Sequence, residues 1–256
     1  MIAILGIDAA WTANKPSGVA LLRGNIHEKP ECVAACCCYG DFLVLGTNAR
    51  DHSRASNPHY PNPRALLRAA HELAGVAVSV VAVDMPIAAD ERGNPAPVTR
   101  RREADNAISR AFGARWCGTH SPTVERPGEI GMELNRGFGM PVGVVFRIPA
   151  IIEVYPHVAL LDLLGCEKRF PYKAEKRYKP PLSLEEIARQ HETILGRLRE
   201  EIDAVPDCLA KRPVRRELKA SEDTLDGLIS AWVGWKYAKG EARAYGDETA
   251  AIWVPV

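Results

Sequence analysis

The chain has no long hydrophobic run. Its longest apolar stretch, residues 75–89, is interrupted by Asp84 and falls short of the roughly 20 residues needed to span a bilayer. Charge of one sign is also missing: 33 Lys+Arg stand against 32 Asp+Glu, a net +1. That balance argues against a protein that holds nucleic acid by a general basic excess, while local basic patches stay open. The cysteines, seven in number, show no regular pairing interval, unlike a disulfide scaffold. No basic leader or small-residue cleavage site precedes Asp8, and the expectation is a cytoplasmic protein without a membrane partner. The phosphate loop G-x-x-x-x-G-K-[ST] is absent, as is a strand-linked G-x-G-x-x-G; Gly137-Phe138-Gly139 is too short to replace either. Walker-type ATP use and Rossmann dinucleotide binding are therefore not expected.

What is present is an ordinary globular composition: 256 residues, 46% hydrophobic and 25% charged, enough for a sizeable core. No repeat, low-complexity tract or linker divides the chain, so one domain spanning residues 1–256, with helical and loop insertions, is expected. Residues 2–8 form a buried-strand pattern ending in Asp8, residues 18–22 a second strand across a Pro16-Ser17-Gly18 turn, and residues 32–39 a third. Pro63 opens a helical pattern that Gly75 closes, and residues 76–86 read as a strand ending near Asp84. A helix follows over 100–112, an irregular Gly- and Pro-rich segment over 113–141, and a strand carrying Glu153 over 148–155. Pro156 opens a short helix, 168–181 reads as a basic surface loop, Ser183 caps a long helix, and Ser221 is expected to cap another that stops at Gly240. Strands early, a crossover helix and later buried strands predict an α/β protein with a mixed sheet flanked by helices.

Four acids stand out. Asp8 and Asp84 end strands, Glu153 lies within one, and Asp226 rides on a helix, each among apolar neighbours. A single strand-end aspartate usually caps a turn. Several buried together are costly unless they meet cations or water, and a shared Mg²⁺ or Mn²⁺ would resolve that cost. Two such ions can stabilise both the attacking and leaving oxygens of phosphodiester hydrolysis. Arg102, three residues before Asp105, is expected either to offer its planar fork to a phosphate or to form an ordinary helix ion pair. Trp11, Tyr155, Tyr178 and Lys179 are candidates to hold a substrate by stacking and charge, against the plainer reading of packed aromatics beside a solvated lysine. His120 and His157 are candidate acid/base groups with a supporting polar role as the simpler reading. Cys32 and Cys36-Cys37-Cys38 invite zinc, but structural zinc usually takes separated ligand pairs and consecutive strand residues face opposite ways. They are read as small buried strand residues.

The ordered motifs G-I-D-A-A-W (6–11) with P-S-G (16–18), V-D-M-P (83–86), Arg102-x-x-Asp105, E-V-Y-P (153–156), Tyr178-Lys179, Asp223-x-x-Asp226 and A-I-W-V-P (251–255) run through nearly the whole chain. In that combination the sequence resembles the predicted ribonuclease H-like nucleases known as domain of unknown function 429. The resemblance implies a ribonuclease H-like core, with an antiparallel three-stranded unit followed by parallel strands. It also implies acids from the first strand, the fourth strand and a late helix meeting at one edge. Asp8, Asp84 and Asp226 match those places, and Asp223 shares the face of Asp226 one turn earlier. These would form the metal set, with Asp8, Asp84, Glu153 and Asp226 as the catalytic acids. The activity implied is metal-dependent cleavage of a phosphodiester in nucleic acid or a nucleotide. The alternatives are a binding module of the same fold that does not turn over, and an actin-like phosphotransferase built on two such cores. Oligomeric state stays open.

Overall fold

The computed structural model describes residues 1–46, 59–124, 128–173 and 180–256. Its strands are β1 (Ile2–Asp8), β2 (Gly18–Gly24), β3 (Glu31–Cys36), β4 (Val78–Val83), β5 (Ala150–Val154), β6 (Ala242–Gly246) and β7 (Ala251–Pro255). Its α-helices are α1 (Tyr39–Gly46), α2 (Pro63–Ala74), α3 (Glu103–Phe112), α4 (Glu129–Phe138), α5 (Pro156–Leu163), α6 (Leu184–Glu201) and α7 (Arg215–Ala238). The strands form one mixed sheet in the order β3-β2-β1-β4-β5-β7-β6. β1, β2 and β3 pair antiparallel, whereas β4 joins β1, β5 joins β4 and β7 joins β5 in parallel. That is the order and polarity expected of a ribonuclease H-like core, extended at one edge by the antiparallel β6–β7 pair.

Both faces of the central strands are buried, because alternate side chains serve alternate layers. Ile4, Val80 and Ala82 join α5, α6 and α7 in one core, while Leu5, Ile7, Val81 and Val83 join α1, α2 and α4 in the other. Each fully buried Ile or Leu contributes about 1.5–3 kcal/mol, so these strands anchor the fold and fix the positions of their ends. Helix α7 lies close enough to touch the sheet backbone. A Cβ on Gly18 would fall 1.7 Å from the Asp223 carbonyl oxygen, and one on Gly6 would fall 2.2 Å from the Ala231 nitrogen. Hydrogen at those two positions lets the helix descend onto β1 and β2, carrying its acids with it.

Several expectations are corrected. The third strand stops at Cys36, and Tyr39 already begins α1, because Cys37 and Cys38 bend the chain between them. Within the segment read as irregular, α4 forms, with Ile130, Leu134 and Phe138 buried on one side; the helical spacing was masked by its glycines. Ser221 does not cap α7, which starts six residues earlier at Arg215 and buries Ser221 in its interior. The described part of the 168–181 segment is a loop with exposed ends at Lys168, Pro180 and Pro181, but it is not wholly on the surface: Tyr172 is fully buried and Arg169 nearly so. The C-terminal strands β6 and β7 were not foreseen. Among the described residues, no helix is long and apolar enough to cross a membrane.

Candidate active site

Asp8 and Asp84 are neighbours because β1 and β4 are neighbours. The strands run parallel with Ile7 opposite Val83, and the Asp84 N–H donates to the Ile7 carbonyl at 2.8 Å. Both carboxylates therefore leave the same end of the sheet. Asp223 and Asp226 reach that end from α7 on one helical face. Asp8, Asp84 and Asp223 line a cleft of about 640 Å³, while Asp226 is fully buried behind it. The acids raise one another. Burial first, then the charge of Asp226, lifts the Asp8 carboxyl well above its usual range, with Asp84 and Asp223 adding to it and Lys173 opposing. Asp84 is pushed up to about 7 by burial, a rise that Lys173 opposes and Asp226 and Glu153 reinforce. Asp223 is pushed up to about 6 by burial against the opposing pull of Lys219.

Two ammonium groups answer this negative charge. Lys173 Nζ lies 2.7 Å from Asp226 Oδ2, and Lys219 Nζ lies 2.7 Å from both Glu222 Oε1 and Asp223 Oδ1. Burial alone would lower both lysines, but Asp226 holds Lys173 protonated and Glu222 with Asp223 holds Lys219 so. The Tyr172 hydroxyl donates to Asp226 Oδ1 at 2.5 Å, fixing that carboxylate from the far side. Asp223 Oδ2 is buried with no hydrogen-bond partner, and Asp226 Oδ2 meets Lys173 only as an ion pair outside hydrogen-bond alignment. Buried acceptors without a donor are rare and call for a cation or water. The all-oxygen donor set suits Mg²⁺ or Mn²⁺. Among the described residues, only Cys37, Cys38 and Asp41 bring three potential ligand atoms within 4.8 Å of one another, so the cleft acids surround their space without closing into a tight cage.

The second ionic group lies along the same wall. Arg102 donates to Asp105 Oδ2 at 3.1 Å and Oδ1 at 3.0 Å, to Glu153 Oε2 at 2.5 Å and Oε1 at 2.8 Å, and to the Ile87 carbonyl at 2.8 Å. A guanidinium has five N–H donors, and these bonds use them all. Of the two readings of Arg102, the ion pair with Asp105 is the one found, buried rather than exposed, and the phosphate contact is corrected because its fork is spent inside the protein. Glu153 is likewise committed, since Oε2 also accepts the Ile87 N–H at 3.0 Å. It lines the cleft as a neutralised wall rather than as an open ligand. Asp105 lines the cleft too, but accepts the Arg102 N–H at 2.9 Å and closes the N-terminus of α3.

Trp11 and Tyr155 both line the cleft, and the Tyr155 hydroxyl donates to the Gly118 carbonyl at 2.9 Å. Tyr178 and Lys179 lie outside the described residues. His120 and His157 both border the cleft; Arg169 Nη2 lies 2.6 Å from His157 Nε2. Sequence reasoning missed Lys15, Arg169, Lys173 and Lys219, which bring positive charge to the same space. The signal was present for Lys219, three and four residues before Glu222 and Asp223 on one helix. For Lys173 there was none, since the loop carrying it gives no periodicity.

The family model described as Protein of unknown function (DUF429) matches residues 147–250. That stretch carries Glu153, Arg169, Lys173, Lys219, Asp223 and Asp226, and leaves Asp8 and Asp84 outside it. No curated protein and no solved structure matches the chain.

Proposed function

We propose that this chain, whose residues 147–250 match the model of the DUF429 family, is a metal-dependent hydrolase of phosphodiester bonds in a nucleic acid or nucleotide. The observation that carries the reading is the convergence of Asp8, Asp84 and Asp223 on one cleft, with Asp226 directly behind them. Asp8, Asp84 and Asp223 would hold Mg²⁺ or Mn²⁺, and Asp226 would add its unaligned oxygen. Such an ion supplies Lewis-acid stabilisation of a phosphoryl oxygen and a more acidic water. Lys15 binds the anionic substrate from the rim, Arg169 adds positive charge from the buried wall, and Trp11 and Tyr155 offer flat apolar surface to a base. Tyr172 holds Asp226 in one orientation through its hydroxyl. Asp84, pushed up to about 7 by burial, gives up its proton when the ion binds, so loading of the site is favoured as pH rises toward that value.

A second reading rests on a specific observation. Lys173 and Lys219 already sit against Asp226 and Asp223, which favours a pocket that binds a nucleotide or nucleic acid without turnover. The actin-like reading finds less support, because the strands among the described residues form one sheet rather than two cores. Incubation of the purified chain with RNA, DNA and small nucleotide diesters, with Mn²⁺, Mg²⁺ or chelator, separates these. Hydrolysis expects ion-stimulated cleavage that Asp84→Asn abolishes. Tight binding without cleavage, retained by Asp84→Asn, replaces it with the binding module.

A further inference from the structure

The corner where the edge strand β3 turns into α1 is the richest in sulfur. Cys36, the last residue of β3, points into the core. The next two residues escape strand alternation because the chain bends at both, so Cys37 and Cys38 can face the same space. Cys37 Sγ lies 3.7 Å from Asp41 Oδ2, and the Asp41 N–H points at Cys38 Sγ at 3.5 Å. One ligand atom from each of Cys37, Cys38 and Asp41 falls within 4.8 Å of the others. Both thiols are half-buried, and Asp41 is exposed at the first turn of α1. A groove of about 410 Å³ borders Cys37 and Asp41 and is lined on its other side by Cys208.

We propose that Cys37, Cys38 and Asp41 form a second cation site that takes a borderline-soft divalent ion such as Zn²⁺. Two sulfurs and one carboxylate oxygen make a three-ligand set of the kind that leaves a fourth tetrahedral position to water, and the bordering groove leaves room for it. Binding replaces the Cys37 S–H···Asp41 contact: both thiols lose their protons to solvent, and two thiolates and one carboxylate face the dication. The sulfur donors select against Mg²⁺ and Mn²⁺, which prefer oxygen, so the two sites sort ions by ligand chemistry. A loaded site would clip the end of β3 to the start of α1, adding to the Phe42 N–H to Cys38 carbonyl bond at 3.3 Å.

The test is titration of the fully reduced full-length chain with Co²⁺, followed by the sulfur-to-cobalt charge-transfer absorption, which oxygen ligands in the acidic cleft do not produce. The expected result is a band saturating at one equivalent and bleached by Zn²⁺. Cys37→Ser and Cys38→Ser should each weaken binding by at least about 100-fold, beyond the 10- to 100-fold typical of losing a supporting partner. Asp41→Asn, an exposed and nearly isosteric change that leaves the fold intact, should weaken binding while keeping the band. Cys208→Ser should leave both unchanged. Absence of the band in the reduced protein, its persistence in Cys37→Ser and Cys38→Ser, or its loss in Cys208→Ser would each overturn the assignment.

Discussion

Two groups of buried acids stand side by side on the cleft wall and are treated in opposite ways. Glu153 and Asp105 face one guanidinium whose five donors meet their oxygens and the Ile87 carbonyl in a planar network. Asp8, Asp84, Asp223 and Asp226 face two ammonium groups, each a point charge, and keep Asp223 Oδ2 without a donor. A fork satisfies carboxylates geometrically, whereas an ammonium neutralises charge but leaves lone pairs open. The first group is finished as it stands. The second keeps buried acceptors without a donor, at Asp223 Oδ2 and Asp226 Oδ2, and the proposed cation site rests on that difference.

The contrast can be broken most forcefully at Asp84. Asp84→Asn should lower metal-stimulated cleavage by at least about 10³-fold, as expected when one member of a catalytic unit is lost. The same change should make the metal-free protein more stable at pH 8, because it removes a charge that its neighbours oppose. Turnover assays beside urea denaturation read both effects, and a fall in stability would mean that the Asp84 charge is welcomed after all. At the finished group the sign reverses: Arg102→Ala should destabilise the fold by about 3–5 kcal/mol, since two buried carboxylates lose their partner. Arg102→Lys should recover only part of that, lacking the fork; full recovery in denaturation curves would show that charge alone suffices.

A pH series sharpens the comparison further. Asp84 and Asp223 have folded-state values of about 7 and about 6, above the ordinary aspartate value near 3.9. A raised folded value favours the protonated form, so their stabilising contribution is complete below about pH 4 and is lost as pH climbs to about 7. Metal-free stability should therefore decline across that window from these groups, and Mn²⁺ affinity should rise across it as the protons leave. Calorimetric titrations at pH 5.5 and 7.5 check this; an affinity independent of pH would place the ion elsewhere. The smallest expected effect is at Tyr172→Phe, which removes the hydroxyl held to Asp226 Oδ1 and should cost about 1–3 kcal/mol, read by thermal or urea unfolding.

Legibility in the sequence followed periodicity. β1, β2, β4 and β5 could be read because apolar runs end at turns or acids, α2 because Pro63 and Gly75 bracket it, and α6 because Ser183 caps it. The end of β4 also gave the place of Asp84, since a strand's terminus is where a buried carboxylate reaches water. The start of α7 was hidden: its first turn is exposed and charged, and the apolar pattern begins only at Leu218. The partner of Glu153 was hidden for another reason. Arg102 lies 51 residues away from it, and nothing local distinguishes an arginine that closes a buried network from one that faces solvent. The same holds for Lys173, which meets Asp226 only through tertiary packing.

The central claim is that the second group of acids holds a divalent cation. A crystal of the full chain equilibrated with Mn²⁺ and read by anomalous scattering tests it most directly. The account predicts a peak bounded by the carboxylates of Asp8, Asp84 and Asp223, with Lys219 drawn away from Asp223. A cleft with no anomalous peak at saturating Mn²⁺ and Lys219 still against Asp223 would contradict it.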